Sequence, residues 1–290
     1  MMGSVTSEYL VSADDLDRAL GDPNLRVFET AANLEPKGPG MERELGRVAF
    51  DRGHIPGAQF LDLAGDAADT ASGLEFTLPE PAALEELFRR LGINMDSRVV
   101  LYSSSSVMWS TRAWWLLHYL GFERMSVLDG GFGAWCDGGR LVETAVPRFP
   151  RGDFEARPRP EVFADKQAVA DAIGDPSVRT VNSLGAAMHR GETRSSYARQ
   201  GRIAGSGNLP FSELLTEGRF KSTGEMREVL AASGMLEADR VITYCGAGIA
   251  ATIDAFACVL VGQDRVAVYD GSLSEWALDP DAPMEMGASG

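Results

Sequence analysis

The chain has 290 residues, which suits two domains better than one, and its 44% hydrophobic and 24% charged residues are those of a globular protein. A formal net charge of −15 argues against a general binder of nucleic acid or of anionic membranes, and no apolar run reaches the roughly 18 residues of a membrane helix. Cys136, Cys245 and Cys258 are too few for a disulfide framework, and the start, MMGSVTSEYLVSADDLDRAL, shows no basic-then-apolar leader. A reducing, cytoplasmic setting is expected, with a thiol left for chemistry.

Ser12 reads as the N-cap of a helix that stops at Gly21 and Pro23. Residues 25–28 form a short β-rich run, and residues 81–91 an amphipathic helix with Leu84, Leu87, Phe88 and Leu91 on one face. Arg98–Tyr102 is an apolar run of buried-strand type. Small residues follow it, then a helix over 111–120 and a strand at 127–128 that closes on Asp129-Gly130. Residues 143–162 are proline-rich and read as a stiff, extended linker. Beyond them the series begins again, with strands at 178–181, Arg240–Tyr244 and Val266–Tyr269 and a helix over Ala251–Leu260.

The repetition is visible residue by residue. RVVLYSSSSVMWSTRAWWLLHYLGFERMSVLDGGFGAW (98–135) matches RVITYCGAGIAATIDAFACVLVGQDRVAVYDGSLSEW (240–276). LGDPNLRV (20–27) matches IGDPSVRT (173–180), and GHIPGAQF (53–60) matches GRIAGSGN (201–208). Matched blocks in one order mean two copies of one fold, over 1–142 and 163–290, on either side of the linker. Strands alternating with helices predict, in each copy, a parallel sheet covered by helices on both faces.

The chemistry concentrates in VITYCGAGIAATIDAF. Cys245 follows a strand and opens a loop of Gly246, Ala247, Gly248, Ile249 and Ala250 ahead of a helix. Ligands of open parallel sheets bind at this end of the strands. Small residues let successive backbone N–H groups turn inward as an anion nest, and the helix N-terminus adds partial positive charge. Such a place favours a thiolate or an anionic persulfide. The bland alternative is a small buried hydrophobe ending a core strand. Cys258, among Phe256, Ala257, Val259 and Leu260, reads as core, and Cys136 as structural or incidental. The first copy has Ser103 at the matching place, a poor nucleophile without a neighbouring base, so that copy is expected to be non-catalytic.

These motifs resemble the tandem-domain rhodaneses, the thiosulfate and 3-mercaptopyruvate sulfurtransferases. Gly53-His54-Ile55-Pro56-Gly57-Ala58 is similar to the family's first-domain signature, and Asp129-Gly130-Gly131 and Asp270-Gly271-Ser272, with Trp135 and Trp276, to its domain-closing motifs. Cys245-Gly246-Ala247-Gly248-Ile249 resembles the neutral loop of the mercaptopyruvate branch more than the basic Cys-Arg-Lys-Gly loop of rhodaneses proper. The resemblance implies that Cys245 takes a sulfane sulfur from a small anionic donor, 3-mercaptopyruvate or thiosulfate. It would then pass that sulfur from a persulfide to a thiol, cyanide or a sulfur-carrier acceptor, with no cofactor.

The second copy departs from the family at several places. Asn182 and Leu184 stand where Asp and Arg are usual, Met188 where an Arg grips the substrate, and Gly201-Arg202-Ile203-Ala204-Gly205 replaces Gly-His-Ile-Pro-Gly. Arg190, Arg194 and Arg199 lie on the segment HRGETRSSYARQGR, either as a rebuilt anion clamp or as unrelated surface charges. The resemblance gives His54 a proton-relay role, while Ala247 removes the loop hydroxyl a relay would use, and a structural role is preferred. Two other readings remain open: a degenerate rhodanese-fold partner in sulfur carriage, and a biosynthetic enzyme with an unusual substrate. A phosphatase is disfavoured because Ala251 stands at the sixth place after Cys245, where that chemistry needs Arg. No metal-ligand spacing and no dinucleotide fingerprint is present.

Overall fold

A computed structural model describes residues 6–32 and 46–287. The Ser12 hydroxyl accepts the Asp15 amide at 3.1 Å and starts the helix Ala13–Ala19. Two five-stranded sheets follow. The first runs, edge to edge, Leu10–Val11, Met125–Leu128, Arg98–Tyr102, Leu25–Glu29, Ala58–Phe60. The second runs Phe163–Ala164, Val266–Tyr269, Arg240–Tyr244, Val178–Asn182, Gly207–Asn208. Every pairing within both sheets is parallel, and Leu25 faces Arg98 as Val178 faces Arg240. The two sequence copies are thus two α/β units of one topology.

The helix Pro81–Arg90 buries Leu84, Leu87 and Phe88, as its spacing requires. The helix expected from Thr111 begins at Val107, because the Ser106 hydroxyl accepts the Met108 amide at 3.4 Å and caps it. The stretch 143–162 is extended but does not hang free. Phe154 is buried beside Phe88 and Phe122, and the amides of Gly152 and Arg157 donate to Arg89 and Leu120 carbonyls, both at 2.8 Å. The Trp115 indole donates to the Val162 carbonyl at 3.0 Å, so the strap is held at its far end too.

The units pack through the helices Val107–Tyr119 and Ala251–Leu260. Trp114 and Phe256 meet edge to face at 4.9 Å, and the Thr111 and Thr252 hydroxyls hydrogen-bond at 2.7 Å. One apolar cluster runs through both units. Around it lies a reciprocal clasp: the Asp129 carboxylate accepts the Phe220 amide at 3.0 Å, and the Asp270 carboxylate accepts the Leu78 amide at 2.7 Å. A further bond has no counterpart among the described residues. Arg112, 1% exposed, pairs with Asp270 at 2.7 Å and donates to the carbonyls of Phe76 at 2.6 Å and Gly248 at 3.3 Å.

Removing one partner of such a pair leaves the other charge poorly solvated and unmatched. Arg112→Ala should therefore lower unfolding free energy by about 3–5 kcal/mol, read from urea denaturation. Asp129→Asn keeps the acceptor oxygen for Phe220 and should cost about 1 kcal/mol or less.

Candidate active site

Cys245 sits at the carboxyl end of the central strand Arg240–Tyr244 and is 2% exposed. Its loop is held by Ser272, which the sequence places only in a domain-closing motif. The Ser272 hydroxyl accepts the amides of Cys245 and Gly248, both at 3.1 Å, and donates to the Tyr269 carbonyl at 2.8 Å. Ser272 reaches this position with φ +47°, in the left-handed region that non-glycine residues seldom occupy, and Gly248 turns at φ +66°. The amides of Leu273 and Ser274 donate to the Cys245 and Gly246 carbonyls at 3.2 and 2.8 Å, stitching the next helix onto the loop. Arg112 completes the frame through the Gly248 carbonyl.

With those bonds made, the amides of Gly246, Ala247, Ile249 and Ala250 donate to no other described residue. They lie on the turn between Cys245 and the ten-residue helix Ala251–Leu260. Unpaired amides and a helix N-terminus together make an anion-stabilising cradle beside the thiol.

In the matching loop of the first unit, side chains of that unit take some of the backbone amides. The Ser103 hydroxyl accepts the Ser105 amide at 3.1 Å, and Glu29 Oε1 accepts the amides of Ser104 and Ala31, each at 2.9 Å. Glu29 holds the place that Asn182 holds in the second unit, where the side chain accepts only the Leu184 amide at 2.9 Å. Burial pushes the Glu29 carboxyl up to about 7, with these hydrogen bonds acting in the other direction.

The structure separates the candidate arginines. Arg199 donates to the carbonyls of Trp276, Ala277, Asp279 and Pro280, filling the C-terminal end of the helix Ser272–Trp276. Arg190 makes a fork with Glu192, both contacts at 2.7 Å. Arg194 is exposed and makes no ion pair among the described residues. His54 is buried, stacks on Phe50 at 3.9 Å, and faces the Phe50 and Ala145 carbonyls with its ring nitrogens at 2.9 and 3.3 Å. Both nitrogens thus face backbone carbonyls, one in the preceding helix and one in the strap. Cys258 is buried and Cys136 exposed, and burial raises both thiols.

Tyr197, on the same segment as the arginines, is half-buried with its hydroxyl over the loop, where a Cβ on Gly246 would overlap it. Burial and the neighbouring Cys245 push this phenol up to about 12. Three of these contributors had faint signals in the sequence. Ser272 breaks the Asp-Gly-Gly of the first copy, Arg112 is the one arginine in an apolar helix, and Tyr197 is the one tyrosine in a polar segment.

Glu29 carries a pH signature. Its folded pKa of about 7 exceeds that of an unfolded glutamate, so the stability it contributes is full in acid and is lost as pH rises through 7. Over that span the loss is about 3 kcal/mol. Glu29→Gln keeps the acceptor for Ser104 and Ala31, and should flatten this part of the stability–pH curve measured from pH 4.5 to 8.

Comparison with known proteins agrees with this geometry. A family model described as a rhodanese-like domain matches residues 12–137 and 185–279. The 3-mercaptopyruvate sulfurtransferase of Escherichia coli K12 is 30% identical over 283 residues, 97% of this chain and 99% of the relative. The thiosulfate sulfurtransferase of Gallus gallus is 33% identical over 242 residues, 82% of this chain and 83% of the relative. The crystal structure of SseA from Escherichia coli superposes with a TM-score of 0.81 at 30% identity, covering 93% of this chain and all of that one. Among the described residues no helix is long and apolar enough to cross a membrane. Two units of one topology, a cysteine at the strand end of the second, and relatives matched over nearly their whole length lead to one statement: the chain belongs to the rhodanese family of sulfurtransferases.

Proposed function

We propose that Cys245 carries the transferred sulfur as a persulfide and that the donor is a mercapto acid of the 3-mercaptopyruvate type. The single observation behind this reading is the set of unpaired amides at Gly246, Ala247, Ile249 and Ala250, beside a thiol in a loop without a charged side chain. In the first half-reaction the Cys245 sulfur bonds to the donor's sulfur while the donor's C–S bond breaks. The electron pair stays on the departing carbon, which is protonated and leaves as pyruvate. An acceptor thiolate or cyanide then attacks the outer sulfur and returns Cys245 as a thiolate. Amide donors and a helix end stabilise the anionic sulfur in both half-reactions.

The neutral loop favours a donor with one carboxylate over compact, doubly charged thiosulfate, which needs countercharge to leave water. Arg194 is the arginine of the segment that supports a carboxylate contact, since Arg190 and Arg199 are engaged elsewhere. The first unit, with Ser103 and a loop tied in part to Glu29, acts as a frame for the second. Unpaired Cys136, Cys245 and Cys258 support a cytoplasmic, reducing site of action.

Intact-protein mass spectrometry after incubation with 3-mercaptopyruvate should find the added sulfur on Cys245. Cys245→Ser should abolish transfer with the fold retained, whereas Cys136→Ser and Cys258→Ala should keep it, the latter losing about 1 kcal/mol of packing. A Cys245→Ser variant that turns over normally would overturn the assignment. Arg194→Ala should raise the mercaptopyruvate KM about tenfold, the low end for a charge-assisted contact. Arg199→Ala should instead lower Tm with KM little changed, because its partners are backbone carbonyls.

A further inference from the structure

The amides of the Cys245 loop account for a sulfur anion, and beyond them only the exposed Arg194 is proposed for the carboxylate of a mercapto acid, which lies two carbons beyond the sulfur. Residue 246 directly follows the cysteine. In this chain that place is a glycine, and the space a side chain would take is filled by the Tyr197 hydroxyl. Any Cβ at 246 would overlap the phenol oxygen, with the ring carbon that bears it at 2.9 Å. The ring packs on the apolar cluster that contains Tyr244, Leu273 and Trp276, which fixes its direction. Its hydroxyl makes no hydrogen bond to any described residue, although the hydroxyls of Tyr244, Tyr269 and Tyr102 all have partners.

We propose that Tyr197 is a specificity-determining residue of the sulfur-transfer site: its neutral hydroxyl meets the carboxylate end of a mercapto acid above Gly246, in space that a charged side chain at 246 would otherwise fill. The proposal rests on the assignment of Cys245 as the sulfur carrier. The phenol stays protonated across the physiological range, since burial and Cys245 both oppose its ionisation, and so remains a donor. A tyrosine placed here requires a glycine at 246. A neutral donor above Gly246 offers a mercapto acid's carboxylate a contact that thiosulfate, held within the amides, does not need. Charge-assisted hydrogen bonds of this kind are worth a tenfold change in affinity or more.

Persulfide loading of Cys245 is measured by quenched-flow mass spectrometry with 3-mercaptopyruvate and, separately, thiosulfate, in wild type, Tyr197→Phe, Gly246→Ala and the double variant. Iodoacetamide alkylation of Cys245, resolved at the peptide level, reports loop geometry without any sulfur transfer. Tyr197→Phe should raise the mercaptopyruvate KM about tenfold, change the thiosulfate KM less than about twofold, and leave alkylation unaltered. Gly246→Ala should disturb alkylation and loading while Tyr197 is present, and much less once its hydroxyl is removed, a direct coupling between the two sites. Equal KM effects on both donors, or no effect, overturn the specificity role. Additive effects in the cycle, or a wild-type Gly246→Ala, overturn the contact. A wild-type protein that loads no sulfur on Cys245 overturns the carrier assignment itself, an outcome seen before any variant is compared.

Discussion

Two helices cannot be exposed to water, and most of the architecture follows from them. Every residue from Trp109 to Leu117 is buried, as is every residue of Ala251–Leu260 except Val259. A helix that is apolar all round must be covered on all sides. Its own sheet covers one side, and the other unit's helix covers the next, through Trp114 on Phe256 and Thr111 on Thr252. Each helix opens immediately after the loop that ends its central strand. Packing the helices therefore sets both loops at one seam. That is why an arginine of the first unit, Arg112, reaches the Gly248 carbonyl in the loop of the second.

From this symmetric start the loops diverge by a few substitutions with large physical consequences. Glu29 and the Ser103 hydroxyl take the Ser104 and Ser105 amides of the first loop. In the second, Asn182 is too short and too occupied with Leu184 to do the same, and amides remain for a bound anion. The matching helices differ likewise. Arg112 crosses the seam, while Asp254, at the corresponding turn, stays inside its own unit, where burial holds its carboxyl well above the usual range. In one unit part of the loop is tied to its own side chains, and in the other unpaired backbone amides lie beside a thiol.

How much of this is legible in the sequence depends on how local each feature is. The buried strands Arg98–Tyr102 and Arg240–Tyr244, the amphipathic helix from Pro81 and the strand–Cys–small-loop–helix order at Cys245 are local patterns, and the structure contains them. The start of the first interface helix was misplaced at Thr111 because a serine run reads as loop, although Ser106 is its cap. Residues from distant segments were not legible. Ser272 matters only because two sheet ends meet, Arg112 because two units pack, and Tyr197 because a polar segment folds back over Gly246. The arginine-rich segment leaves two readings open in the sequence, a clamp or surface charge, and Arg199 follows neither: a helix end with bare carbonyls takes it, and cations belong there as readily as at an anion.

The acidity of the whole chain bears on why the site uses backbone rather than charge. A net charge of −15 repels small anions at a distance, and salt screens that repulsion beyond about 8 Å at physiological ionic strength. Inside that range an amide acts at hydrogen-bond length, where little solvent intervenes, and Cys245 at 2% exposure is already largely shielded from water. Lysine or arginine in the loop would add attraction, but also a group to be desolvated and a partner for the surrounding carboxylates, as Arg190 is for Glu192. Fixed dipoles held by Ser272 have neither drawback, since they cannot ionise, reorient or pair with a neighbouring acid. A small anion reaching the loop of this acidic protein therefore meets a site whose attraction is short-ranged, built before the substrate arrives, and only weakly dependent on salt.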